Sequence, residues 1–208
     1  MSIAALASIA MLVCGMAIED RRERERAARR RLILSTARRL AEAEGWEAVT
    51  TRRLSTEIEY SQPVLYKHFS GLDQIAEALA IDGFGELADL LHTARVNAKT
   101  AECSLTPVAH AYLDFAHANP ALYEAMFTRA TKLRFAADDT PPPLTAAFSE
   151  LREAISAVAA LDGDVDTLTE VFWAALHGLT TLTHADRLRP GNASDRIQLL
   201  VSRFGVAP

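Results

Sequence analysis

The side chains best suited to specific chemistry lie between Thr50 and Phe69, in the segment TTRRLSTEIEYSQPVLYKHF. Gln62 can pair with the edge of an adenine, and the apolar groups of Pro63 and Val64 can contact a thymine methyl. Neighbouring hydroxyl and basic groups can bind phosphates, which set register rather than sequence. The candidate phosphate-binding residues are Thr50, Thr51, Arg52, Tyr66 and Lys67, and Ser61 and His68 complete the set of candidate DNA contacts.

Two short helices would have to present these side chains. Thr50 is predicted to be the N-cap of the first helix, and Leu54 and Ile58 are predicted to form its apolar stripe. Ser61 is predicted to cap a second helix over residues 62–67, which begins with polar side chains. Two short helices joined by about four residues are typical of the helix-turn-helix that enters the major groove. An ordinary helical hairpin on a surface is the alternative.

The flanking segments favour the helix-turn-helix. A helix predicted from Leu32 ends at Gly45 and is followed by Trp46, and Ser70-Gly71-Leu72-Asp73 leads into another apolar-periodic helix. This order of elements resembles the TetR (tetracycline-repressor-like) family over roughly residues 30–80. The resemblance implies an N-terminal three-helix DNA-binding module, a larger helical ligand-binding and dimerisation domain, and function as a dimer.

Glu59 departs from the family pattern, which usually has a glycine in the turn, two residues before the cap of the second helix. A positive φ at a glutamate costs about 1 kcal/mol, so the turn geometry is expected to differ slightly. An acidic group here would also weaken phosphate binding unless it points away from the DNA.

Composition and charge predict an all-α protein with a cationic N-terminal module. Half of the 208 residues are hydrophobic, most of the chain has a helical period, and no segment alternates convincingly as a strand does. Residues 19–70 hold twelve basic and nine acidic side chains, a net charge of +3, whereas residues 71–208 carry −8. This asymmetry suits focused phosphate binding, and internal ion pairing along a solvated helix is the alternative. Two unpatterned cysteines, Cys14 and Cys103, fit a reducing cytoplasm.

Residues 1–18, MSIAALASIAMLVCGMAI, form an uncharged apolar extension. The segment is almost long enough to span a bilayer, but it is only moderately hydrophobic and lacks the basic leading region of a secretory signal. We predict a non-native extension with translation starting at Met16, and membrane anchoring is the alternative. The predicted division is an extension over 1–18, a helix-turn-helix domain over 19–70 and a helical regulatory and dimerisation domain over 71–208.

The second half of the chain carries a second resemblance. Trp173, His177 and Gly178 lie in one predicted helix, and their spacing resembles the Trp-His-Gly signature of one TetR C-terminal subgroup. The segment NPALYEAMF is also similar to the family, in which a helix pair at this point walls a regulatory cavity. Tryptophan supplies a flat apolar wall, and histidine beside it supplies a switchable hydrogen-bonding group. The candidate ligand-binding residues are Tyr112, Phe115, Tyr123, Met126, Phe127, Trp173 and His177, with ordinary core packing as the alternative.

Four histidines permit a metal-site hypothesis. His110 and His117 are seven residues apart, as are His177 and His184, so each pair lies two turns along one helix face. Metal ligands on one helix are usually closer together and no carboxylate pattern supports the site, so we predict no metal and no other cofactor. The sequence also lacks a Gly-x-Ser-x-Gly elbow, a phosphate-binding glycine-rich loop and a His-Glu-x2-His motif, so no enzyme activity is predicted.

These features together predict a cytoplasmic, ligand-responsive transcriptional regulator, usually a repressor. Its expected partners are a near-palindromic double-stranded operator, a small-molecule effector and a second copy of the chain; a membrane partner is not expected. The helices over Leu144–Val158 and Ile197–Phe204 are assigned to the dimer interface by family position. A metal-dependent helical enzyme and a membrane-anchored interaction protein remain the alternatives.

Overall fold

The computed structural model describes residues 3–101, 103–129, 133–135, 137–159 and 164–204, with side chains from Glu19 onward within these ranges. All regular structure in the described residues is helical, which confirms the predicted all-α class. The chain divides into two compact units, residues 1–75 and 76–208. The predictions of a start at Met16 and of a membrane anchor in residues 1–18 concern side chains outside the described ones. Nowhere in the described part does a helix combine the length and the apolar character needed to cross a bilayer.

The first unit is built on a long helix, α1 (Ile3–Glu44), which is followed by Gly45. Gly45 has a φ of 81°, a left-handed conformation that glycine adopts without steric cost, and its amide donates to the carbonyl of Ala41 at 2.9 Å. The helix end predicted at this glycine is therefore present, but the helix begins at Ile3 and not at the predicted Leu32. The elements that follow are a 3-10 turn (Trp46–Ala48), α2 (Thr51–Glu57), α3 (Gln62–Tyr66) and the start of α4 (Leu72–Val96).

Apolar side chains of α1, α2 and α3 close around one small core. Leu54 and Ile58 are buried as the pattern predicts, and Leu65 and Phe69 are buried beneath α3. The contributions from α1 are Ile33, Leu34, Ala37, Leu40 and Ala41. Because the core holds α3 by one face, the polar side chains on its opposite face remain available to a partner.

The second unit contains the greater part of α4 and five further helices. These are α5 (Leu105–Ala118), α6 (Pro120–Phe127), α7 (Pro142–Ser156), α8 (Val165–His184) and α9 (Ala193–Phe204). Helix α7 begins two residues before the predicted Leu144, because Pro142 and Pro143 occupy its first turn, where a missing amide proton is tolerated. Asp164 caps α8 by accepting from the amides of Asp166 and Thr167 at 3.1 and 3.2 Å.

Helix α5 lies at the centre of the second unit and packs against α6, α7, α8 and α9. Helix α7 packs along α8, and its apolar stripe is buried within the chain. An ion pair joins α4 to α7, with Arg95 Nε 2.7 Å from Glu150 Oε2. These contacts hold α6, α7 and α8 around the cavity described below.

Candidate functional site

The turn between α2 and α3 closes with two backbone hydrogen bonds of a Schellman motif. The amide of Tyr60 donates to the carbonyl of Ser55 at 3.0 Å, and the amide of Glu59 donates to the carbonyl of Thr56 at 3.3 Å. Glu59 has a φ of 56°, so it occupies the left-handed position at which the family usually has glycine. The turn therefore keeps a left-handed residue at this position, so the different geometry expected from the glutamate is not seen, and the predicted cost of placing a glutamate there applies.

The start of α3 is open to solvent at the positions predicted to contact bases. Gln62 and Pro63 are exposed, and Val64 is half-buried. Tyr66 keeps 53% of its surface exposed, and Lys67, which follows α3, is exposed as well. These five side chains therefore offer one amide, small apolar groups, a phenol and an ammonium group on one accessible segment.

The predicted phosphate contacts at the helix starts differ in how free their polar groups are. Thr50 is the N-cap of α2, and its hydroxyl accepts from the amide of Arg53 at 3.1 Å. Ser61 stands at the cap position of α3, but its hydroxyl makes no capping hydrogen bond, so the capping predicted for it is wrong. The backbone of Ser61 adopts the cap conformation, but its hydroxyl does not bond to the first-turn amides. The hydroxyl of this exposed residue is therefore left for another partner. Thr51 is half-buried and Arg52 is exposed.

Arginines of α1 surround the end of α3, which the sequence pattern did not single out. The guanidinium of Arg30 lies 4.2 Å from the ring centroid of Phe69 and donates to the carbonyl of His68 at 3.3 Å. Burial lowers the pKa of the His68 imidazole, and the positive charges of Arg26, Arg29, Arg30 and Lys67 lower it further. His68 is therefore neutral at pH 7, and the cationic surface around it comes from α1 and Lys67. Proximity across 38 residues is decided by packing and leaves no signal in the local pattern.

Other basic side chains of the first unit are occupied in ion pairs. Glu57 forms ion pairs with two arginines: its Oε2 lies 2.6 Å from Arg39 Nη2, and its Oε1 lies 2.9 Å from Arg53 Nε. Arg53 Nη2 also lies 3.0 Å from Glu44 Oε1. Arg21 pairs with Glu25 along α1 at 2.9 Å. The internal pairing considered for the charged helix therefore exists, and it reduces the number of cations available for phosphates.

A cavity of about 910 Å³ lies among α6, α7, α8 and the segment that precedes α7. Its walls are largely aromatic: Phe127, Phe135, Phe148, Trp173 and His177 all line it. A volume of this size suits a drug-sized molecule, and apolar walls with a few polar groups are typical of small-molecule sites.

Charged side chains of α7 and α8 occupy one part of the cavity lining. Arg152 on α7 contacts Asp166 in the first turn of α8, with Arg152 Nε 2.6 Å from Asp166 Oδ1. Glu170 lies one turn further along α8 and also lines the cavity. The described lining therefore carries one cation that is already paired and two carboxylates.

Four candidate ligand-binding residues form one chain of hydrogen bonds behind and along the cavity wall. Trp173 Nε1 donates to the hydroxyl of Tyr112 at 3.1 Å, and the hydroxyls of Tyr112 and Tyr123 are 2.9 Å apart. The hydroxyl of Tyr123 is 2.7 Å from His177 Nδ1. The chain joins α5, α6 and α8, and two of its links span 61 and 54 residues of sequence.

Burial controls the ionisation of this chain. It raises the pKa of the Tyr112 phenol well above its ordinary value of 10.0 and that of Tyr123 to about 12. It lowers the pKa of the His177 imidazole below 6.5. All three side chains are consequently neutral at pH 7.

The seven candidate ligand-binding residues do not all reach the cavity. Phe127, Trp173 and His177 line it, and Tyr112 and Tyr123 support Trp173 and His177 from behind. Phe115 and Met126 are buried elsewhere, and Met126 lies against Gly83 of α4. The lining residues that the sequence analysis did not name are Phe135, Ala137, Thr140, Leu144, Thr145, Phe148, Arg152, Asp166, Glu170 and Ala174.

The histidines considered as metal ligands have other surroundings. His177 is bonded to Tyr123, and His184 Nδ1 lies 3.1 Å from the carbonyl of Thr180. Within the described residues, no three His, Cys, Asp or Glu side chains come together in a group able to hold a metal ion.

Comparisons with known proteins cover both units. Residues 33–79 match the family profile described as bacterial regulatory proteins of the tetR family, and residues 105–204 match that of a tetracyclin repressor-like C-terminal domain. The uncharacterized HTH-type transcriptional regulator Rv0681 of Mycobacterium tuberculosis is 30% identical over 158 residues, which is 74% of this chain and 69% of that protein. The uncharacterized HTH-type transcriptional regulator YobS of Bacillus subtilis is 35% identical over 95 residues, 46% of this chain and about half (49%) of its own length.

Solved structures with the same fold cover most of the chain. A Rhodococcus protein of unknown function matches with a TM-score of 0.71 and 25% identity, over 84% of this chain and 92% of that protein. A TetR-family transcriptional regulator from Streptomyces coelicolor matches with a TM-score of 0.59 and 18% identity, over 84% and 96% of the respective chains.

Proposed function

The chain belongs to the TetR family of bacterial transcriptional regulators, and we propose that it is a repressor acting in the cytoplasm. As a homodimer it binds a near-palindromic operator, and it releases the operator when a small molecule occupies the cavity of the second unit. The observation that carries this proposal is the exposed start of α3, where Gln62 and Pro63 are open to solvent above a buried Leu65 and Phe69.

The operator contacts divide into base readers and phosphate binders. Gln62 pairs with an adenine, and Pro63 and Val64 contact a thymine methyl. Tyr66 and Lys67 bind phosphates beside them. The predicted contacts at the start of α2 (Thr50, Thr51 and Arg52) and the neighbouring Ser61 and His68 extend this surface, together with Arg26 and Arg29 of α1. The left-handed turn at Glu59 supports the proposal because it gives α3 the entry that the motif requires.

We propose that the dimer forms through α8 and α9, whereas family position predicts the helices over Leu144–Val158 and Ile197–Phe204. Helix α7 is unsuitable because its apolar stripe is already buried against its own chain. In contrast, Val171 and Leu199 keep 54% and 59% of their surface exposed, and Gly178 has no side chain within 4 Å of where a Cβ would lie. A largely apolar groove runs between α8 and α9, and it is lined by Ala175, Gly178, Leu179, Leu182, Leu199 and Leu200 together with Arg196 and Arg203. Burial of this surface in a dimer follows the general rule for exposed apolar patches.

The dimer proposal is tested by sedimentation equilibrium. We expect the wild type to be dimeric and the double variant Leu182→Glu, Leu199→Glu to be monomeric with an unchanged helical circular dichroism spectrum. Leu90→Glu is the matched control, because Leu90 is also exposed but lies on α4. A dimer that survives the double variant, or one that the control dissociates, contradicts the assignment.

Operator binding is tested by selection from random DNA duplexes with the full chain. We expect an enriched palindrome whose half-sites lie about one duplex turn, or roughly 34 Å, apart. The double variant Tyr66→Ala, Lys67→Ala should lose the site, whereas Lys99→Ala, which removes an exposed lysine of the second unit, should retain it. Gln62→Ala should relax the preference at one base pair per half-site, at a cost of about 1–3 kcal/mol. Absence of enrichment at low salt with folded, dimeric protein overturns the proposed function.

The switch follows from linkage between the two ligands. An effector that weakens operator binding tenfold must itself bind the operator complex tenfold more weakly than the free protein. A compound that dissociates the operator while binding both forms with equal affinity contradicts this mechanism.

A further inference from the structure

The hydrogen-bond chain from Trp173 to His177 has a fixed direction. The indole Nε1–H of Trp173 only donates, so it occupies the hydroxyl oxygen of Tyr112 as an acceptor. The single proton of the Tyr112 hydroxyl then has the oxygen of Tyr123 as its partner at 2.9 Å. The reverse direction would leave the proton of fully buried Tyr112 without this acceptor, at a substantial desolvation cost.

The direction continues to the histidine. Because Tyr123 accepts from Tyr112, its own proton is free to be donated to His177 Nδ1, 2.7 Å away. Thr180 is the other hydroxyl beside Tyr123, and it donates to the carbonyl of Leu176 at 3.0 Å. The Tyr123 proton is assigned to His177 Nδ1 because an imidazole nitrogen is a stronger acceptor than the Thr180 hydroxyl oxygen. His177 Nδ1 is thus an acceptor, and the proton of the neutral ring lies on Nε2.

This tautomer gives the cavity one directed polar group among its aromatic walls. His177 lines the cavity, and its Nε2–H makes no hydrogen bond to any described residue. The ring stays neutral because burial lowers its pKa, so it offers a donor without a formal charge. A ligand that reaches Nε2 from the cavity would meet a hydrogen-bond donor, and Trp173, Tyr112 and Tyr123 maintain the tautomer that provides it.

The remaining charged lining, whose side chains are partly exposed to solvent, disfavours an anionic ligand. Arg152 is paired with Asp166 at 2.6 Å, and Glu170 adds a second carboxylate, so the described lining has a net charge of −1. A carboxylate ligand would be repelled by this lining. The aromatic side chains of Phe127, Phe148 and Trp173 instead favour an apolar molecule with flat faces.

We propose that the effector is an uncharged, ring-containing carbonyl compound whose oxygen accepts a hydrogen bond from His177 Nε2–H. This rests on the proposed function only in taking the cavity as the effector site. Tyr112, Tyr123 and Trp173 are positioning residues, because they act through the histidine and set its tautomer.

The test compares benzophenone with diphenylmethane, which has CH₂ in place of the carbonyl. The protein is the full chain carrying Trp46→Phe, so that Trp173 is its sole tryptophan. The Kd of benzophenone is obtained from quenching of Trp173, and that of diphenylmethane from displacement of benzophenone. 4-Benzoylbenzoate supplies the anionic member of the series.

The expected result is a preference for the carbonyl that depends on the histidine donor. The preference is the Kd of diphenylmethane divided by the Kd of benzophenone. In His177→Leu this ratio should be roughly fivefold smaller than in the protein with His177, because a neutral hydrogen bond of about 1 kcal/mol is lost. His177→Gln should keep most of the ratio, because its amide N–H replaces Nε2–H. 4-Benzoylbenzoate should bind at least several-fold more weakly than benzophenone. An unchanged ratio in His177→Leu, tighter binding of the anion, or no binding of benzophenone to the folded protein overturns the proposal.

A second measurement needs no ligand. The ¹⁵N shifts of the His177 ring should report a neutral ring protonated at Nε2 near pH 7, and Tyr123→Phe should convert it to a mixture of tautomers. A wild-type ring protonated at Nδ1 also overturns the proposal. Both experiments omit DNA, so they can fail while an operator is still selected, or succeed while none is.

Discussion

Two glycines of α4, only two residues apart, should respond to the same substitution with opposite signs. A Cβ at Gly83 would lie 2.8 Å from Met126 Sδ and 3.0 Å from Leu122 Cγ, closer than side chains can approach without movement. A Cβ at Gly85 would meet Pro143 at 3.9 Å, an ordinary van der Waals contact. Alanine at either position gains about 1 kcal/mol of helix propensity. Overpacking at Gly83 costs about 1–3 kcal/mol against this gain.

We therefore expect Gly85→Ala to stabilise the second unit by about 0.5–1 kcal/mol and Gly83→Ala to destabilise it by about 1 kcal/mol. The assay is urea unfolding followed by the fluorescence of Trp173, which is the sole tryptophan of residues 76–208. At an m-value of about 2 kcal/mol/M, the two midpoints should differ by about 1 M. Protein concentration must be held constant, since dimerisation changes apparent stability.

Equal midpoints for the two variants would refute the reasoning, because both carry the same propensity change. A gain in stability for Gly83→Ala would show that Met126 and Leu122 rearrange at almost no cost. Either result would mean that the close approach of α4 to α6 is not what requires glycine at this position.

Three further perturbations address the turn, a cap and an ion pair. Glu59→Gly should stabilise the first unit by about 0.5–1 kcal/mol, because glycine adopts the φ of 56° without strain. Glu59→Gln should not stabilise it. If thermal unfolding shows equal gains in stability for both variants, the effect comes from the charge of the glutamate and not from its backbone conformation. Thr50→Ala should cost about 1 kcal/mol through loss of the α2 cap, and hydrogen exchange of the first-turn amides should rise; unaltered exchange would contradict the capping role. Burial raises the pKa of Glu150, but hydrogen bonds from Arg95 and His92 outweigh it and leave the pKa below the ordinary 4.5. The carboxylate therefore stabilises the fold above pH 4.5, and this stabilisation is lost as the pH falls through the lowered pKa. In urea titrations, Glu150→Gln should cost about 1 kcal/mol of unfolding free energy at pH 7 and little near pH 2. A cost that is independent of pH would refute this.

Local sequence patterns were sufficient for the helices and for the helix-turn-helix. Gly45 and Thr50 mark helix ends through interactions with backbone groups only a few residues away, and both do so in the structure. The left-handed turn at Glu59 also follows from a short segment, although the residue itself argued against it. Ser61 shows the limit of this kind of inference, since a suitable residue at a cap position does not guarantee the bond.

The cavity of the second unit depends on contacts that no local pattern records. Trp173 and His177 were identified from their spacing on one helix, but their hydrogen-bond partners Tyr112 and Tyr123 come from α5 and α6. Phe115 and Met126 have the same apolar character as many lining residues and yet do not line the cavity. Phe135 lies outside any helix, so no periodicity could have indicated that it lines the cavity.

By itself, the sequence determined that the chain is helical and where helices such as α1 and α2 meet their caps, because hydrogen bonds and apolar spacing within a few residues encode these features. It also singled out the short segment that we propose contacts DNA. Only the tertiary structure decided which apolar face is covered within the chain, as on α7, and which is left open, as on α8 and α9. It also decided which aromatic rings surround a cavity and which hydroxyl lies beside His177 Nδ1. Periodicity shows that a face is apolar, but the neighbour that covers it is selected by the packing of helices distant in sequence.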